Sequence, residues 1–77
     1  MKTKEILLST INTIQANRSR SFINSISNDL LLRDDIGLDS LDLAELTVRL
    51  ESIFDIDIFQ KGLVSTIGQI LEQLPNE

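Results

Sequence analysis

An all-α fold, a small helical bundle with one long loop, follows from the size of the chain, its apolar composition and the spacing of its leucines and isoleucines. Seventy-seven residues make a single domain spanning 1–77. A chain this short buries only ~60% of its unfolded surface, so its stability is expected near ~5 kcal/mol. Apolar residues are 42% of the sequence, and Leu and Ile supply 24 of those 32. That mixture suits a helical core and opposes intrinsic disorder.

The first helix is expected from about Thr3 to Ala16, with Thr3 as its cap and Glu5 in its first turn. Ile6, Leu7, Ile11 and Ile14 fall at helical spacing along it. Asn17 suits a left-handed residue at its end. The connection from Arg18 to Leu38 is rich in Ser and Asn, yet it carries Phe22, Ile23, Ile26 and Leu30-Leu31-Leu32. A loop of that length packs down through its own apolar residues, with one helical turn expected near Phe22–Ile26. Gly37 supplies a tight turn, and Asp39 caps a second helix from Ser40 to about Phe54, with Asp42 at its N3 position. Asp55-Ile56-Asp57-Ile58 alternates like a strand but has no partner, and is expected to be a connector. Phe59 to Val64 is expected to hold a short helix, weakened by Gly62. Thr66 followed by Gln69 resembles a capping box. The last helix carries Ile67, Ile70, Leu71 and Leu74, and stops at Pro75.

Composition excludes several functions. There is no Cys and no His, which removes disulfides, thiolate metal sites, a built-in thiol nucleophile and the commonest general base. An enzyme is not expected. Three Phe and no Trp or Tyr leave no platform for stacking bases. The net charge is −5 and unevenly spread: +3 over residues 1–33 and −8 over residues 34–77. An acidic surface repels nucleic acid and anionic lipid, and attracts basic proteins. No apolar run approaches the ~18 residues of a membrane span, and Ser9, Thr10 and Asn12 end the first apolar run too early for a signal peptide. A cytoplasmic monomer is expected. Arg18 and Arg20 read as solvated loop charges. Asp34, Asp35, Asp55 and Asp57 lack the spacing of a calcium loop and read as a solvated face.

The informative stretch is Asp34-Asp35-Ile36-Gly37-Leu38-Asp39-Ser40-Leu41-Asp42-Leu43. It sets a serine hydroxyl at the first turn of a helix, behind a glycine turn, with carboxylates on both sides. A phosphate on that hydroxyl would face free helix N–H groups. Asp39 could share a divalent cation brought by a phosphorylated donor. No neighbouring His or Lys activates Ser40 as a nucleophile, so it reads as a residue that another enzyme modifies.

Asp35-Ile36-Gly37-Leu38-Asp39-Ser40-Leu41 resembles the signature of the acyl carrier proteins: an acid, Leu or Ile, Gly, a variable residue, then Asp-Ser-Leu. The resemblance continues through Asp42, Glu45-Leu46, Leu50-Glu51, Phe54-Asp55-Ile56-Asp57-Ile58 and Ser65-Thr66-Ile67. It implies an acyl-carrier-like bundle of three main helices plus one short helix, with a long first loop. It also implies that Ser40 receives 4′-phosphopantetheine from coenzyme A through a magnesium-dependent phosphopantetheinyl transferase, with Asp39 assisting. Acyl groups would ride as thioesters on the terminal thiol, in fatty-acid, polyketide or related lipid and secondary-metabolite biosynthesis. Phe59-Gln60-Lys61-Gly62 and Arg49 depart from the family pattern, which points to a specialised carrier with its own partners.

The second helix adds a docking surface. At ~100° per residue, Leu43, Leu46, Leu50 and Phe54 share one side, while Leu41, Ala44 and Val48 lie nearly opposite, flanked by Glu45 and Glu51. A one-sided core does not need that second stripe. Leu41, Asp42, Ala44, Glu45, Val48 and Glu51 are therefore the expected contacts for basic patches on the transferase and on acyl-activating, acyltransferase or ketosynthase-type enzymes. Two other readings stand beside this one: an aminoacyl or peptidyl carrier, and a non-covalent helical adaptor with Ser40 unmodified.

Overall fold

The structure is a computed structural model that describes residues 2–60 and 62–75. Three helices, α1 (Thr3–Asn17), α2 (Ser40–Phe54) and α3 (Ile67–Gln73), form in the expected order. Among the described residues no strand forms beyond an isolated antiparallel bridge between Leu31 and Thr66.

α1 and α2 pack directly on each other. Leu7, Ile11 and Ile14 from α1 meet Leu43, Leu46 and Leu50 from α2, joined by Ile67 and Ile70 from α3, all buried. These are the residues that helical spacing selects. Thr3 is not the cap of α1: it is the first helical residue, buried, and its hydroxyl donates to the Pro75 carbonyl at 2.6 Å. Lys2 takes the cap position, and its N–H donates to the Glu5 carboxylate at 3.4 Å. Asn17 stays helical, and the left-handed residue is Ser19, φ 56°.

The long loop is held down at several points. Asn12 forms a closed pair with the Ile23 backbone, accepting from its N–H and donating to its carbonyl, both at 2.9 Å. Ile26, Leu32, Ile36 and Leu38 are buried, as an apolar loop requires. Leu31 and Phe22 are exceptions: both are exposed, Phe22 at 64%, and no helical turn forms around Phe22. The loop also completes α3. Leu30 and Asn28 carbonyls accept from the Ile67 and Gly68 N–H groups at 3.0 and 2.8 Å, while the Thr66 hydroxyl accepts from Gln69 N–H at 3.2 Å. The Gln69 side chain accepts from Thr66 N–H at 3.1 Å, closing the expected capping box.

The expected short helix from Phe59 to Val64 does not form among the described residues, of which Lys61 is not one. Gln60 N–H bonds to Asp57 O and Gly62 N–H to Phe59 O, each at 3.2 Å, as separate turns. Gly62, at φ 134°, leaves the helical region. Two isolated turns cannot offset the cost of helix nucleation. Among the described residues the fold is a three-helix bundle.

Candidate functional site

Gly37 and Asp39 build the site. The chain reverses after Leu32: Asp35 and Ile36 N–H groups both donate to Leu31 O at 3.1 Å, and Leu38 N–H donates to Leu32 O at 3.0 Å. Gly37 follows at φ 90°, with space around its Cα. Asp39 then caps α2. Its Oδ1 accepts from Asp42 N–H at 2.9 Å, and Asp42 Oδ2 accepts from Asp39 N–H at 3.0 Å. This reciprocal box fixes the first turn of α2 and leaves Ser40, its first residue, exposed.

Leu41, Ala44, Val48 and Glu51 are exposed along α2, with Leu41 67% and Val48 64% accessible. Leu43, Leu46 and Leu50 are buried on its other side, and Phe54 is half-buried. The two faces of the helix are therefore separated as the spacing predicts. Glu45 is half-buried and already paired, with Arg49 Nε at 2.8 Å and Arg18 Nη2 at 3.8 Å. Its charge is partly answered within the chain.

Asp42 departs from expectation. Its side chain is fully buried, which takes it off the surface that a partner could touch. Arg20 Nη1 lies 2.7 Å from its Oδ2 and Arg18 Nε 3.1 Å from its Oδ1. The second contact is an ion pair without an aligned hydrogen bond, since Oδ1 has no hydrogen-bond partner. Burial pushes the Asp42 carboxyl up, but the Asp39 N–H, Arg20 and Arg18 together more than offset it and hold the group below its ordinary value. Arg20 Nη2 also lies 3.8 Å from Asp39 Oδ2. Arg18 and Arg20 are thus not solvated loop charges; they clamp the start of the long loop onto the first turn of α2. The sequence carried one signal of this: Asp42 falls between the two apolar faces of α2, where the next element packs.

Arg33 is the other residue that the sequence did not reveal. Its Nη2 donates to Ser40 Oγ at 2.9 Å, across the reversal at Gly37. A lone cation at the head of an acidic run was the available signal. Asp34, Asp35, Asp55 and Asp57 are exposed. Among the described residues no three His, Cys, Asp or Glu side chains converge as a metal site, and no helix is long and apolar enough to cross a membrane.

The site fits a group attached to Ser40: the residue is exposed, the Asp39–Asp42 box holds its turn, and a guanidinium already contacts its oxygen. The chain matches the family described as "Phosphopantetheine attachment site" over residues 23–74. It is 44% identical over 45 residues to an acyl carrier protein of Amoebophilus asiaticus, an alignment taking in 56% of each chain. To an acyl carrier protein of Phytoplasma australiense it is 40% identical over 53 residues, 69% of this chain and 70% of that one. With an acyl carrier protein of Thermotoga maritima the alignment runs over 76 residues at 29% identity, covering 96% and 94%. No solved structure matches the chain significantly. The motif around Ser40 and the family match over most of the length agree, and the chain belongs to the acyl carrier proteins, which are carriers bearing 4′-phosphopantetheine and not enzymes.

Proposed function

We propose that Ser40 is the attachment residue, and that this protein presents acyl intermediates of fatty-acid, polyketide or related lipid biosynthesis to partner enzymes in the cytoplasm. The observation that carries this reading is the exposed Ser40 hydroxyl on the first residue of α2, held in place by the Asp39–Asp42 capping box. The bound arm supplies a thiol for thioester formation, which a chain without Cys lacks. The chain's own residues do the rest. Asp39 orders the first turn and stands beside the hydroxyl, where it assists the transferase. Leu41, Ala44 and Val48 offer an apolar stripe, and Glu51 with Glu45 offers charge, to the basic docking patches of the transferase and of acyl-transferring enzymes.

Co-expression with a broad-specificity phosphopantetheinyl transferase tests the assignment. Intact mass should rise by one phosphopantetheine in the wild type and stay unchanged in Ser40→Ala. The Ser40→Ala helical signal should match wild type, because an exposed first-turn substitution shifts stability by only about 0.5 kcal/mol. Arm attachment to Ser40→Ala protein would overturn the assignment.

A further inference from the structure

We infer that Arg33 is a positioning residue that holds the phosphate of the arm on Ser40 and so sets where the arm leaves the surface. This rests on Ser40 being the attachment residue.

The contact is already present. Arg33 Nη2 lies 2.9 Å from Ser40 Oγ, the atom that the phosphate would share. The seven-residue separation is closed by the Leu31–Leu38 reversal and Gly37, so the pairing follows from backbone hydrogen bonds and needs no long-range search by a free side chain. Of the four arginines, Arg18, Arg20 and Arg49 are paired with Asp39, Asp42 or Glu45. Arg33 forms no ion pair among the described residues, although Asp34 and Asp35 follow it directly. Asp35 is turned away, its Oδ2 accepting from Leu31 N–H at 2.7 Å.

The chemistry favours an anion at this point. A neutral hydroxyl is a weak partner for a guanidinium, whereas a phosphodiester carries a full negative charge and oxygens that the planar N–H fork matches. Exposed Asp34, Asp35 and Asp39 precede Ser40 in sequence. A phosphate on Ser40, behind this acidic stretch, gains from a cation held at its point of attachment, and the Arg33 guanidinium contacts that point. Lysine would keep the charge without the fork.

Wild type, Arg33→Ala and Arg33→Lys are loaded to completion with excess transferase, and intact mass verifies the arm. Each is melted with and without it, and the phosphodiester is followed by phosphorus-31 NMR. Without the arm, Arg33→Ala should melt close to wild type, since Arg33 is exposed and contacts only a hydroxyl. With the arm, its melting temperature relative to its own unloaded form should fall about 2–5 °C below the wild-type difference, the scale of one exposed ion pair in a domain this small. Arg33→Lys should recover part of that loss. The wild-type phosphorus resonance should differ from that of Arg33→Ala at low salt and approach it at 1 M salt, where the screening length is ~3 Å. Identical loading effects and identical phosphorus shifts in wild type and Arg33→Ala would overturn the role of Arg33 while leaving Ser40 as the attachment site. A wild-type chain that gains no mass would overturn the Ser40 assignment, and this role with it.

Discussion

Replacing Arg18 and Arg20 together by alanine strands the Asp42 carboxylate, whose side chain is fully covered. Stranding a buried charge typically costs about 3–5 kcal/mol. Both arginines are about one-third exposed, at 35% and 30%, so water reaches the rim of the cluster and screening lowers the cost to about 2–3 kcal/mol. Against a total near ~5 kcal/mol, that removes about half of the stability. At ~4–8 °C per kcal/mol, the melting temperature should fall by roughly 10–20 °C. Asp42→Asn should cost less, about 1–2 kcal/mol. An amide oxygen can still accept from Asp39 N–H, and the freed arginines can turn to solvent. Adding Asp42→Asn to the double arginine variant should therefore recover part of the lost stability, a coupling that a thermodynamic cycle measures directly. Urea unfolding followed by far-ultraviolet circular dichroism supplies the values. The pH dependence adds an independent check. The folded carboxyl lies below its ordinary value of about 3.8. Its contribution is complete above that value and is lost as pH falls through the folded one. The gap between wild type and Asp42→Asn should close in acid. A double arginine variant as stable as wild type, or a gap that persists in strong acid, would refute the clamp.

Three further outcomes follow from packing. Val48→Asp should stay folded, since Val48 is 64% exposed, but should load more slowly by intact-mass time course; normal loading would remove the stripe from the docking surface. Leu50→Asp should unfold the domain, because Leu50 is fully buried and an unpaired carboxylate there costs several kcal/mol, comparable to the ~5 kcal/mol total. Gly68→Ala should lower the urea midpoint by the equivalent of about 1 kcal/mol, even though alanine favours helix. Its Cβ would meet the Asn28 carbonyl oxygen at 2.8 Å, a backbone atom that also accepts from Gly68 N–H. A raised midpoint would show that the loop yields at that point.

Features that depend on neighbours a few residues apart were legible along the chain. Asp39 with Asp42, and Thr66 with Gln69, closed the capping boxes that their three-residue spacing announces. The leucines of α2 sorted to opposite faces because helical phase is a local property. Ser40 arrived at an exposed helix start for the same reason. What lay beyond was decided by where the long loop crosses the helices. The place of Asp42 between the apolar faces of α2 is a local hint, but nothing local reports that its partners are Arg18 and Arg20, at the other end of the long loop. Phe22 is exposed, and among the described residues no helix forms from Phe59 to Val64, because propensity is weak without a packing surface. Arg33 stands out in one dimension only as a cation heading an acidic run; it touches Ser40 once the backbone between them has reversed, and that pairing belongs to three dimensions.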